Sequence, residues 1–206
     1  MEWSGAVVVL VGGGPSLTPA QVERCRGKAR VIAINTAVKL APWADILYFC
    51  DRQWFGWHRE TVLNFKGQVV TLGNEDLRKE VRGLVCMRDA GVEGFSEDPA
   101  ALCNGRNSGY QAIHLAAHLG AKRIVLLGYD MKSAAPAAPG ARPRVHWHEE
   151  HPVPTHPDTP GGYVPHFKDL LEPLARRGIE VLNATPGSAL PYFPMTTLEE
   201  ALCATA

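Results

Sequence analysis

Two stretches of this chain carry residues able to do chemistry near neutral pH. The first is Gly12-Gly13-Gly14-Pro15-Ser16, set between the apolar run Ala6 to Val11 and Thr18-Pro19-Ala20-Gln21. Glycines at such a point let backbone approach an anion, while free amides and a helix start supply positive potential. The spacing matches neither common phosphate fingerprint. Gly12 and Gly14 satisfy the first half of Gly-x-Gly-x-x-Gly, but Leu17 stands at the third glycine position and no Gly-Lys-Ser/Thr follows. The same five residues also suit a tight turn that needs positive φ.

The second stretch holds His146, His148, His151 and His156, with Glu149, Glu150 and Asp158 among them. Histidine moves protons near pH 7 and is the commonest metal ligand. "HWHEEH" is not His-Glu-x-x-His, and the nearby prolines argue against a helix. A general base, a structural zinc site and a solvated loop are the alternatives; Trp147 favours burial, and no residue is assigned as a metal ligand. His114 and His118, at helical spacing on an apolar helix, read as packing or surface residues.

Smaller signals sit where strands end. Asn35 follows "VIAI", Asp51 follows "ILYFC", and Asp130 follows "IVLLGY". Asn107-Ser108-Gly109 opens the best-patterned helix, where its hydroxyl and amides suit a second anion or a sugar. Each has a plainer role as well, because asparagine, serine and aspartate are the residues that cap helices and tie down loops.

The elements that must position these groups alternate along the chain. Ala6 to Val11, Val31 to Ile34, Ile46 to Cys50, Gln68 to Leu72, Leu84 to Met87, Ile124 to Leu127 and Ile179 to Leu182 read as strands. Helices are expected after the capping-box spacing at Thr18 with Pro19 at the first helical position, over Trp54 to Phe65, from Asn107 or Ser108 to Gly120, over Tyr163 to Arg177, and over Thr197 to Cys203. Ser133 to Arg144, rich in alanine, proline and glycine, reads as a mobile loop. The pattern predicts an α/β, Rossmann-like, mostly parallel sheet with helices on both faces, as one nucleotide-binding domain over 1–206 with a lid-like loop at 133–162. Ligands of such sheets bind beyond the carboxyl ends of the strands, which gathers Gly12 to Ser16, Asn35, Asp51 and Asp130 on one rim.

Composition narrows the partners. The 21 basic and 21 acidic side chains cancel without a long block of either sign, so neither duplex nucleic acid nor a membrane surface is expected. The opening "MEWSGAVVVLV" lacks a positive n-region and its apolar run is short, which reads as a buried strand in a cytoplasmic protein. Cys25, Cys50, Cys86, Cys103 and Cys203, without a Cys-x-x-Cys pair, read as free thiols in or near the core.

In this order, "VGGGPSL", "NSGYQAIHLAAHLGAKRIVLLGYDM", the histidine loop and "VLNATPGSAL" resemble the bacterial sialyltransferases that modify lipooligosaccharide. They also resemble the related family of archaeal 6-hydroxymethylpterin diphosphokinases and flagellin-associated glycosyltransferases, and small phage and prophage proteins of the same pattern. The resemblance covers both ends of the chain and is poor from Phe65 to Cys103. It implies a Rossmann-like domain binding a nucleotide donor, a CMP-sugar for glycosyl transfer to a hydroxyl acceptor or ATP for phosphoryl transfer. Gly12 to Ser16 would face the donor phosphate, and Asn35 with Asn107-Ser108-Gly109 would hold nucleoside and phosphate. His151 would be the general base, with His146 second. Asp51 or Asp130 would orient the acceptor or hold Mg²⁺. A non-catalytic nucleotide-binding protein is the remaining alternative, because Gly13 stands where sialyltransferases carry asparagine and their paired tyrosines have only Tyr129 and Tyr163 as candidates.

Overall fold

The computed structural model describes residues 3–148 and 152–203. Continuous apolar runs form the inner strands, as expected where both faces of a parallel sheet are covered. They are β1 (Val7–Val11), β2 (Arg30–Ile34), β3 (Ile46–Phe49) and β4 (Gln68–Leu72), then β5 (Val85–Asp89), the two-residue β6 (Ala101–Leu102), β7 (Arg123–Leu127) and β8 (Glu180–Asn183). All pairs are parallel, and the order is β6-β5-β4-β3-β2-β1-β7-β8. The chain winds outward from β1 in one direction as far as β6, returns, and winds the other way through β7 and β8. The reversal lies between β1 and β7, the place where open α/β sheets form a crevice.

Alternate strand residues feed two cores. Val8, Leu10, Ile32 and Ile34 pack on one face with α4 (Ser108–His118) and with Phe167, Leu170 and Leu174. Val9, Val11, Val31 and Ala33 pack on the other with Val22 of α1 (Pro19–Glu23), Trp54 and Phe55 of α2 (Arg52–Trp57), and Val62 of α3 (Arg59–Asn64). Residues such as Val8, Val9, Leu10 and Ile32 are wholly buried, and each contributes about 1.5 to 3 kcal/mol of apolar transfer. The Rossmann-like, helix-on-both-faces architecture is therefore as expected. Among the described residues, no helix is long and apolar enough to cross a membrane.

Local start and stop signals act as the sequence predicts at both ends of the chain. Thr18 and Thr197 each close a capping box, the latter opening α7 (Leu198–Leu202), while Asn107 caps α4 and Gly120 follows it at φ +91°. Two expected helices differ. Trp54 to Phe65 breaks at His58 (φ −118°, ψ 21°) into α2 and α3, two residues after Gly56, a weak helix former. Tyr163 to Arg177 becomes a 3₁₀ segment over Val164–Leu170 followed by α6 (Leu171–Arg176), whose first turn holds Pro173, a residue with no N–H to continue an α-helix from Asp169. A short helix, α5 (Thr159–Gly162), precedes it, and β6 carries no sequence signal beyond two apolar residues. The five thiols are free, but Cys203 is exposed, since it follows α7 on the surface.

Candidate functional site

A cleft of about 350 Å³ opens beyond the carboxyl ends of β1, β2, β3 and β7. Gly12, Gly13, Gly14 and Pro15 line it from β1, Asn35 from β2, Asp51 from β3, Asn107, Ser108 and Gly109 from the start of α4, and Asp130 from β7. His146 adds a side chain from the histidine segment. Ser16 stands behind this wall, and His151 lies outside the described residues.

The glycine loop is built for close approach. None of Gly12, Gly13 and Gly14 has positive φ, so a turn closes from Gly14 to Leu17 without the positive φ expected of it. A side chain on Gly12 would begin 2.7 Å from the Gly128 carbonyl oxygen, and one on Gly14 would begin 1.9 Å from Asp130 Oδ2. Real contacts are never that short, so the glycines let the β1 and β7 loops pass backbone to backbone. Gly13 differs, since only His146 Nδ1, 3.6 Å away, would meet its side chain.

Most amides of this loop are already engaged. Gly12 and Gly14 donate to the carbonyls of Leu127 and Gly128, each at 2.8 Å, and Leu17 donates to Gly14. Asp130 accepts from the Ser16 amide and hydroxyl, both at 3.0 Å. Burial raises the Asp130 carboxyl above the usual range and the Ser16 donors oppose that rise, so the buried pair acts as a clasp. The Gly13 N–H has no partner among the described residues. At α4 the Asn107 side chain takes the amides of Gly109 (2.8 Å) and Tyr110 (3.1 Å), which leaves Ser108 as the donor-bearing residue of that first turn on the cleft wall.

Backbone strain gathers at the same place. Asn35 (φ 51°), Arg106 (φ 56°) and Met131 (φ 51°) are the positive-φ non-glycine residues among those described, and all three line the cleft. Each such residue costs free energy that the surrounding structure must hold in place. Asn35 Oδ1 is buried without a hydrogen-bond partner, a second unfavourable feature on the same residue.

Asp51 accepts from Gln53 (2.7 Å) and Trp54 (3.3 Å) and is the cap of α2 as well as part of the cleft wall. Asp51 Oδ1 and both Asp130 oxygens hold protein donors. Among the described residues no three His, Cys, Asp or Glu side chains gather as metal ligands. Tyr129 is buried and its hydroxyl donates to the Gly109 carbonyl at 3.1 Å, whereas Tyr163 lines the cleft half-exposed.

The histidine segment docks on the glycine loop. Trp147 donates its backbone N–H to the Gly13 carbonyl at 3.1 Å and packs on the core, as its size demanded. His146 pairs through Nε2 with Thr155 Oγ1 at 3.2 Å and stacks on His148. Arg144 donates to the Pro15 carbonyl at 2.9 Å, and an antiparallel bridge joins Ala134 to Arg144, so both ends of the Ser133 to Arg144 stretch are anchored. His156 is exposed beside Asp158 and does not line the cleft. His114 is wholly buried, and Nδ1 accepts from the Cys103 amide while Nε2 pairs with the Ser96 carbonyl, so its role is packing.

Sequence reading missed Cys50, Arg106, Met131, Lys132 and Thr155 on the cleft wall, and offered Tyr163 only through the resemblance. Four of them adjoin a residue with a sequence signal: Cys50 precedes Asp51, Arg106 precedes Asn107, and Met131 and Lys132 follow Asp130. Thr155 gave no signal that distinguishes it from other loop residues.

No protein-family model and no curated protein matches the sequence. Among solved structures, the chain is similar to the sialyltransferase CstII from Campylobacter jejuni, in complex with a substrate analogue, cytidine-5'-monophosphate. The TM-score is 0.53 at 14% identity, covering 98% of this chain and 88% of that one. At this identity the likeness is one of fold. A D-allulose 3-epimerase from Methylomonas sp. aligns at TM-score 0.23 and 12% identity over 89% of this chain and 53% of that one, which is too low to bear on the fold.

Proposed function

We propose that the chain is a nucleotide-sugar-dependent glycosyltransferase of the sialyltransferase-like type, with its donor in the cleft at the β1/β7 switch point. The observation that carries this reading is Asn35, held at positive φ on the cleft wall with a buried, unpartnered side-chain oxygen. Strain and an unmet acceptor on one residue mark a place that a ligand completes. The fold likeness to a sialyltransferase that holds a cytidine nucleotide supports the choice of donor.

The transfer is a displacement in which an acceptor hydroxyl oxygen forms the new bond to the sugar carbon while the bond from that carbon to the donor phosphate breaks. Ser108 and the Gly13 N–H are placed to donate to the charge that develops on the leaving phosphate. Arg106 and Lys132, both on the cleft wall, add positive charge. His146 is the base assigned to the acceptor's proton, with His151 as the alternative. Thr155 orients His146, and Tyr163 is the phenol that remains to assist the leaving group, since the Tyr129 hydroxyl is bound to Gly109. Asp130 holds the loop through Ser16 and takes no proton.

A thermal-shift panel of CMP, CDP, UDP, GDP, ADP, ATP, CMP-sialic acid and UDP-sugars, each with and without Mg²⁺, tests the reading. A ligand at a hundred times its Kd adds about 2.7 kcal/mol, or roughly 5 to 10 °C for a chain of this size. A cytidine-selective shift that does not need metal is expected. A shift only with ATP and Mg²⁺ overturns the reading in favour of phosphoryl transfer, and no shift with any nucleotide overturns it outright.

A further inference from the structure

Ser108 is not alone on its side of the cleft. Cys50, the residue after β3, places Sγ 3.2 Å from Ser108 Oγ, and both residues line the cleft. Either atom of this contact can be the donor. A bound anion removes the choice, because the Ser108 hydroxyl hydrogen then points at the anion and its oxygen must accept from the thiol. Burial raises the Cys50 thiol above its ordinary range, so it carries its hydrogen at neutral pH and is a donor rather than a nucleophile.

The surroundings hold both partners in place. Gln111, on α4 beside Cys50, accepts from the Tyr48 hydroxyl at 2.8 Å and donates to the Asn104 carbonyl at 2.7 Å. Tyr48 and Gln111 are buried, so this network joins β3 to α4 behind the cleft and fixes the distance between the two residues that face it. Neither a serine in the first turn of a helix nor a half-buried cysteine after a strand requires the other; their pairing is informative because it ends on the wall that Asn35 also lines.

We propose that Cys50 is a positioning residue whose S–H donates to Ser108 Oγ and turns the serine hydroxyl toward the phosphate of a bound nucleotide. The inference rests on the nucleotide reading of the cleft and names which part of the ligand this wall recognises. No bond to sulfur forms.

Calorimetric titration of CMP and of cytidine into the full-length wild-type chain and three variants tests it. Cys50→Val and Cys50→Ala remove the donor, and Cys50→Ser restores one. The expected result is a loss of about five-fold in CMP affinity for the valine and alanine variants, the scale of one hydrogen bond, with cytidine affinity unchanged and CMP affinity kept by the serine variant. Equal losses for CMP and cytidine, or equal loss in Cys50→Ser, would show that Cys50 only fills space and would overturn the inference while leaving the nucleotide reading intact. Wild-type chain that binds neither ligand overturns both. Near-ultraviolet circular dichroism of each variant separates a repacked cleft from a lost donor, and affinities are compared among the variants that keep the wild-type spectrum.

Discussion

The two ends of the central strands are built differently. At the amino ends, around Arg30 and Asp45, polar groups are satisfied: Asp45 accepts from the Arg30 guanidinium and the Val31 amide, both at 2.8 Å. Gly27 has positive φ there, as glycine can without strain. At the carboxyl ends three non-glycine residues hold positive φ, a side-chain oxygen lacks a partner, and a carboxyl is buried to clasp a loop. One end is arranged for stability, and the other accepts local cost in return for a shaped cleft. That asymmetry, more than any single motif, locates the candidate site.

The strongest way to break this contrast is to fill space at each end. Gly14→Ala forces a carbon into Asp130 and the Gly128 carbonyl and is expected to cost about 3 kcal/mol, lowering Tm by roughly 6 to 12 °C. Gly27→Ala meets nothing within 4 Å and bears only the positive-φ cost of about 1 kcal/mol. Similar losses in a melting experiment would show that the glycine loop is no tighter than an ordinary turn.

The next effect belongs to α4, which spans the two ends. Burial holds His114 down at about 4, while in the unfolded chain the imidazole titrates near 6.5. The neutral form is therefore favoured by folding. Its contribution is full above about pH 6.5 and is lost progressively as pH falls toward about 4, with about 2 kcal/mol gone by pH 5. Urea unfolding at pH 8 and pH 5 should show this loss in the wild type and a smaller one in His114→Phe; identical pH dependence in the two proteins contradicts it.

Asn35→Gly sharpens the contrast from the cleft side. It relieves the positive-φ strain and deletes the orphaned oxygen, so CMP affinity is expected to fall about ten-fold or more while thermal stability holds or rises slightly. The smallest effect is expected at the satisfied end. Asp45→Ala loses a half-exposed ion pair and one amide contact, should cost under about 1 kcal/mol, and should leave CMP affinity unchanged. A larger effect on binding from Asp45 than from Asn35 would invert the assignment of the two ends.

The legible part of this molecule was the part governed by local rules. Apolar runs of strand length gave seven of the eight strands, and Thr18, Asn107, Gly120 and Thr197 act as caps or stops where their types predict. The rim followed from those strands, because residues just after β1, β2, β3 and β7 must share one edge of a parallel sheet. What stayed hidden depends on contacts distant in sequence. Asp130 clasping Ser16 spans 114 residues, and the Cys50 to Ser108 contact spans 58. The reason for glycine at 12 and 14 was also illegible, since it lies in the approach of the β7 loop and not in a positive φ.

The central claim is that the carboxyl-end cleft, and not the opposite edge, receives a nucleotide. Hydrogen exchange of the full chain with and without saturating CMP, read by mass spectrometry, tests it most directly. Slowed exchange confined to peptides carrying Gly13, Asn35, Arg106 to Tyr110 and Tyr129 to Lys132 is the predicted result. Protection instead around Arg26 to Arg30 and Trp43 to Asp45, or no protection anywhere, would contradict it.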